Sequence, residues 1–302
     1  MSGFLTEIDG IKVGHYTDKA ALTGCTAVLC ESGAVAGVDV RGCAPGTRET
    51  DLLKGYNLVE RIHAVMLCGG SAYGLDAASG AMQFLEKKGI GVSMPGGVVP
   101  IVPAAVIFDL SVGDFSVRPG KQEGYAACAA AQSGVFETGS AGAGTGATIA
   151  KLYGPQFARK GGLGTCSIEL GGGVKVGALA VVNALGELYD PDTGKLVAGA
   201  SMNGRALTNE EKMQAMAAAM GNTTIGVVAT NAVLTREEAN KLAAIAHDGL
   251  AMAIRPVHTP YDGDTFFGLS TMQVAGMPFA VILTAAVRAV SSAVLSAVGI
   301  DK

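Results

Sequence analysis

Three short segments carry residue types whose spacing could do chemistry. At Gly221-Asn222-Thr223-Thr224-Ile225 a polar stretch runs straight into a β-forming run that opens on threonine. A threonine hydroxyl can attack the carbonyl of the peptide bond before it when that bond is held in strain. The cut would free the Thr223 α-amine to act as base for its own hydroxyl. Taken alone, an ordinary loop-to-strand junction is the better explanation, because Asn-Thr pairs are common. Tyr261-Asp262-Gly263-Asp264 sets two carboxylates two residues apart beside the run TFFGLST. On an extended segment they face the same way, which suits an acid–base pair, a cation or a solvated turn. The third segment, Asp39 to Asp51, packs ionisable and hydroxyl side chains into a glycine–proline loop. Arg and Asp pairing that holds the loop's shape is as good a reading there as a functional one.

Other motifs fall short on spacing. Gly142, Gly144 and Ala147 formally match G-x-G-x-x-G/A, but a dinucleotide site needs a strand before the loop, a helix after it and a ribose-binding carboxylate about twenty residues on. Glu169 is at that distance, yet inside an expected hairpin. Gly70-Ser71-Ala72-Tyr73-Gly74 misses the nucleophile-elbow pattern. His15, His63, His247 and His258 are scattered without metal-ligand spacing and read as structural.

The elements that must position these segments are mixed. Ile11–Val13, Cys25–Leu29, Val35–Val40 and His63–Leu67 are β-like runs bounded by Gly, Asp or Ser. Residues 74–88 have helical spacing and end at Gly89. The stretch 161–190 predicts a hairpin around the glycines 171–173. Residues 201–220 turn polar and then Ala- and Met-rich, a helix or linker before the strand TTIGVVAT. Thr235-Arg236-Glu237-Glu238 is a capping box that starts a helix to about Ala253, and Phe279–Val298 is an apolar helix suited to packing on a sheet. The class is α/β, without repeats or a domain linker.

Composition narrows the function. Charged residues are 16% of the 302, below the usual quarter or so, which excludes a disordered chain. A net charge of −4 without a basic stripe argues against nucleic acid. No secretory leader is visible, so a cytoplasmic location is expected. Pro100 and Pro103, or Thr284, Arg288, Ser291 and Ser292, interrupt the most apolar stretches, so no membrane span is expected. Cys25, Cys30, Cys43, Cys68, Cys128 and Cys166 read as buried free thiols rather than metal ligands. Neither a metal nor a cofactor is expected.

The segments GIKVGHYTD, VAGVDVRGCAPGTRETDLL, HAVMLCGGSAYGLDAASG, GSAGAGTGAT, KGGLGT and NTTIGVVATNA, in that order, resemble the L-aminopeptidase/D-esterase family of self-processing N-terminal nucleophile hydrolases over nearly the whole chain. The similarity is greatest to the nylon-oligomer (6-aminohexanoate-oligomer) hydrolase branch, with a Thr nucleophile and an Asp-x-Asp pair, here Thr223, Asp262 and Asp264. The β-aminopeptidase branch has Ser at the nucleophile and a Ser-x-acid pair. The resemblance implies a four-layer αββα sandwich with largely antiparallel central sheets, in a single domain cut between Asn222 and Thr223 into 1–222 and 223–302. It implies a homo-oligomer, often a tetramer. It further implies roles for Lys151, as an orienting or polarising group, and for Asn183, as an oxyanion donor. Aligned with the family's Glu-Thr-Tyr stretch, this chain reads Val106-Ile107-Phe108. The substrate-binding wall then has Val106 where a glutamate would hold a free amine, and Phe108 where a tyrosine would stand, which argues against strict aminopeptidase activity.

The expected activity is amide hydrolysis of small peptides or ω-amino-acid oligomers through an acyl-enzyme on Thr223. An aminopeptidase or D-amino-acid amidase/esterase, and a dinucleotide-binding protein using 142–147, stand as alternatives.

Overall fold

In a computed structural model covering residues 3–215 and 221–299, nine strands join in one continuous sheet. Eight of them are β1 (Lys12–Asp18), β2 (Thr23–Val40), β3 (Arg61–Cys68), β4 (Ala104–Val106), β5 (Gly162–Glu169), β6 (Lys175–Asn183), β7 (Thr223–Ala232) and β8 (Thr265–Val274), and Thr47–Arg48 forms an edge. In space they run β5-β6-β7-β8-β2-β3-β4, with β1 beside β2. The pairs β7/β8 and β3/β4 are parallel, the other long pairs antiparallel.

Side-chain alternation resolves this sheet into two leaves and three cores. On β6, Val176, Ala178, Ala180 and Val182 pack outward with α4 (Arg236–Ala253) and α5 (Phe279–Ser296), while Leu179 and Val181 face inward. The inner core joins them, with Ile225, Val227 and Phe267, to Val28, Val65 and Leu67 of the other leaf. That leaf turns Ala27, Leu29, Ala64 and Met66 onto α1 (Ala77–Lys87) and α2 (Lys121–Ala129). The layers are therefore α, β, β, α, the expected sandwich. Strands covered on both faces read as unbroken apolar runs, which is why these segments show little alternation in sequence.

One strand serves both leaves. The sequence separates Cys25–Leu29 from Val35–Val40, but the structure joins them in β2, whose register against β3 shifts between Leu29 and Ala34. Residues 23–29 pair with β1, and residues 35–40 with β8. Gly33, at φ +81°, lies in the irregular stretch.

The hairpin 161–190 is β5 and β6. The Thr235 hydroxyl accepts from Glu238 N–H to start α4 as the capping box requires. Residues 209–215 form a short helix, α3 (Asn209–Ala215), and the Ala- and Met-rich residues 216–220 lie outside the described residues. Among the described residues α5 alone is long and apolar enough to cross a membrane, yet Ala286, Ala289, Val290 and Ala293 on it are buried in the outer core. Cys43 departs from the expectation of six buried thiols: it is exposed, on the loop after β2.

Candidate active site

Strand register brings the first segment to a single place. Thr223 opens β7 directly opposite Asn183, the last residue of β6. On its other side the parallel partner begins at Thr265, so the loop before β8 runs past the residues that precede β7. Asn222 and Asp262 form a parallel bridge there. All five of Asn183, Asn222, Thr223, Asp262 and Asp264 are at most 5% exposed.

The bond between Asn222 and Thr223 has a specific setting. The Thr223 hydroxyl lies against the Asn222 carbonyl oxygen. That oxygen also accepts from Gly263 N–H at 3.1 Å. A hydroxyl and a backbone donor thus meet at one carbonyl oxygen, and such a donor suits negative charge developing there.

Asn183, the cross-strand neighbour of Thr223, also bonds Lys151. Its Oδ1 accepts from Lys151 Nζ at 2.8 Å and from Thr148 N–H at 3.0 Å, and Lys151 Nζ also reaches the Asn183 carbonyl at 3.0 Å. Two donors on one atom fix which end of the amide is oxygen. The Nδ2 group then donates to the carbonyls of Phe108 at 3.1 Å and Gly221 at 3.3 Å. Burial holds the Lys151 ammonium well below its ordinary range, at about 7, against a smaller opposing pull from Asp262.

The two aspartates do different work. Asp262 Oδ2 accepts from Thr259 N–H at 2.7 Å and from its hydroxyl at 2.6 Å, folding the loop on itself. Burial, then the neighbouring Asp264 charge, raises its pKa. Asp264 Oδ1 accepts from Thr224 N–H at 2.6 Å, anchoring the residue after Thr223, while Oδ2 takes His258 N–H at 3.1 Å and His258 Nδ1 at 2.7 Å.

A cavity of about 260 Å³ opens beside Thr223. Val106 and Phe108 line it, as the sequence resemblance implies, together with Ser71, Ala72, Ala44 and Tyr261. Ser71, at φ +54°, serves as a wall although its motif fails as a nucleophile elbow. A larger cavity of about 530 Å³ lies at the start of α4, away from these groups.

Sequence reasoning missed His258. Its sequence neighbours give no sign of a partner six residues on, and only the turn at 259–263 closes that distance. The other histidines behave as structural side chains: Nδ1 of His15 meets the Thr26 hydroxyl, His63 accepts from Ile101 N–H, and His247 Nε2 meets the Asp39 carbonyl. Arg41 pairs with Asp39 at 3.0 Å, as a shape-holding loop would, and the same loop puts Ala44, Pro45 and Gly46 on the cavity wall. The glycine loop corrects the dinucleotide alternative. A 3-10 turn at Gly142–Gly144 and a two-residue strand follow it, with Gly142 to Ala147 buried, so the helix N-terminus that would hold a pyrophosphate is missing. Among the described residues no three His, Cys, Asp or Glu side chains cluster as metal ligands do.

Comparison with known proteins bears on the family and the fold. Residues 4–300 match peptidase family S58. The chain belongs to that family. An uncharacterized aminopeptidase of Mycobacterium bovis is 46% identical over 293 residues, covering 91% of this chain and 83% of its own. A 6-aminohexanoate-oligomer endohydrolase of Kocuria sp. is 32% identical over 277 residues, covering 89% of this chain and 75% of the relative. In structure, the chain superposes on the L-aminopeptidase D-Ala-esterase/amidase of Ochrobactrum anthropi, a variant of the Ntn hydrolase fold. The TM-score is 0.73 at 20% identity, over 97% of this chain and 85% of that one. This S58 chain thus shares the fold of Ntn hydrolases, and its family is one of peptidases.

Proposed function

We propose that this S58 protein is an N-terminal-threonine amide hydrolase that activates itself by cutting before Thr223, giving parts 1–222 and 223–302. The observation that carries the reading is the Thr223 hydroxyl set against the carbonyl of its own preceding residue, with Gly263 N–H on the same oxygen. In the uncut chain, attack by Oγ1 forms an oxyanion that Gly263 N–H stabilises. Near neutral pH part of Lys151 is an uncharged amine, able to take up a proton in this part of the site, while its bonds to Asn183 hold it there. After the cut the Thr223 amine is base for its own hydroxyl. Departure of Gly221 removes one acceptor from Asn183 Nδ2, which frees an N–H for a substrate oxyanion, the role the resemblance gives it. Asp264 holds Thr224 and so fixes the amine's position. Asp262, its pKa raised, supplies a carboxyl beside it.

The substrate on this reading is a small peptide or ω-amino-acid oligomer, entering past Val106 and Phe108. A strict aminopeptidase is less well served, because the described residues lining the cavity bear no charge to meet a free ammonium. Cytoplasmic location and assembly into a homo-oligomer, up to a tetramer, are part of the proposal, and light scattering on a sizing column tests the assembly. The deciding experiment is a denaturing gel with intact mass and N-terminal sequencing. Two fragments, the smaller beginning Thr-Thr-Ile-Gly, are expected, and a stable band at 30.3 kDa would sink the reading.

A further inference from the structure

The residue on the acyl side of the 222–223 bond is held as an added strand. Asn222 N–H donates to the Tyr261 carbonyl at 3.3 Å, and the Asn222 carbonyl accepts from Gly263 N–H at 3.1 Å, either side of the parallel bridge to Asp262. When Thr223 Oγ1 adds to the Asn222 carbonyl carbon, the C–N bond breaks and the nitrogen takes up the hydroxyl proton as the new amine. The acyl group is left as an ester on Oγ1, and water splits that ester to a carboxylic acid and the free hydroxyl. An amide arriving from solution passes through an ester of the same two atoms. What holds Asn222 before the cut is therefore placed to hold the acyl group of a substrate after it.

Resting on the function proposed above, we infer that Tyr261–Gly263 is the acyl subsite of the mature protein and takes a peptide acyl group by strand addition. The N–H on the substrate's α-carbon donates to the Tyr261 carbonyl, and its acyl oxygen accepts from Gly263 N–H. This spacing selects α-amino acyl groups. In an ω-amino acyl group the N–H lies several methylenes farther along and misses Tyr261. One residue earlier, Gly221 has φ +89°, and a Cβ there would stand 2.5 Å from the Phe108 ring, so glycine suits that position. An acylated nitrogen is favoured over a free amine, since the described residues around the cavity offer no counter-charge.

The test uses full-length protein whose smaller fragment has been sequenced from Thr223. Its probes are acetyl-glycyl-asparagine p-nitroanilide, the same compound methylated on the asparagine nitrogen, and acetyl-6-aminohexanoyl p-nitroanilide. Loss of one hydrogen bond by methylation should lower kcat/KM at least about fivefold, and the aminohexanoyl compound should be cut more slowly than the parent. A methylated compound turned over within twofold of the parent overturns the subsite while leaving the Thr223 nucleophile intact. Cleavage of the aminohexanoyl compound alone, or of none of the three by correctly cut protein, overturns it too. A chain that never cuts at Thr223 removes the nucleophile and the subsite together.

Discussion

Two lysines nine residues apart face opposite situations. Lys151, half-buried, sends its Nζ to two oxygens of one residue, Asn183, the cross-strand neighbour of Thr223. Lys160 is exposed as a residue, yet its ammonium turns back onto three carbonyls of the glycine loop region, Gly144 at 2.7 Å, Ala147 at 3.0 Å and Gly161 at 3.3 Å. Crowding by protein lowers both, Lys151 to about 7 and Lys160 to about 8. The depression alone does not separate them. Counting donors does: a neutral amine has two N–H groups, enough for Asn183 but one short for three carbonyls. Lys151 can give up a proton without losing a partner, whereas Lys160 would turn a lone pair onto a carbonyl. The first has the makings of a proton carrier, the second of a clasp that shapes the glycine loop.

Four measurements would break or sharpen that contrast. Thr223→Ala should remove both the cut and turnover, a loss on the order of 10⁴-fold or more, read by gel and hydrolysis assay. A cut, active Thr223→Ala protein would leave Lys151 with nothing to serve. Next, Lys151→Met should slow cutting by about 10²- to 10⁴-fold at little cost in stability, because relief from burying the ammonium offsets the Asn183 oxygens left without it. Lys160→Met should do the reverse, still cutting at Thr223 but losing roughly 1–3 kcal/mol to unpaired carbonyls, seen in urea melts. Equal effects from the two would erase the distinction.

The third is a pH series. The folded Lys151 value lies below its ordinary 10.5, so between about 7 and 10.5 the unfolded chain binds the extra proton. Stability should rise with pH across that window, with the penalty complete below about 7. Lys151→Met should lessen this slope, most clearly between about 7 and 8 where Lys160 adds least, and in the parent chain the cutting rate should climb through about pH 7. The smallest effect belongs to His258→Gln. Asp264 would lose its contact to Nδ1 but keep the backbone donors of Thr224 and residue 258, so turnover should fall about three- to tenfold with the cut site unchanged.

Much of this was readable in the chain because local rules and packing agree. The capping box at Thr235 and the glycine turn at 171–173 specify their elements with near neighbours only. The four layers came from resemblance, since strands buried on both faces look alike whichever core they enter. β2 escaped for the converse reason: Glu31-Ser32-Gly33 reads as a turn, and the strand continues because β2 is paired on either side of it, up to Leu29 and again from Ala34. Thr223, Asp262 and Asp264 stood out by residue type and spacing, Lys151 and Asn183 only through the resemblance, and the structure places the five together. His258 was out of reach, because its contact depends on a loop whose shape is set by Asp262 and Thr259.

The position of β7 carries a last consequence. It is an interior strand, paired along its length with β6 before the 222–223 bond and with β8 after it, while β8 pairs with β2 near the other terminus. A cut before Thr223 would thus leave the two pieces interleaved, and the folded protein would barely register it. The unfolded protein would register it fully. Folding that began as the collapse of one chain would become an encounter of two, slower at every dilution, so that a molecule once cut owes its persistence to never having come apart.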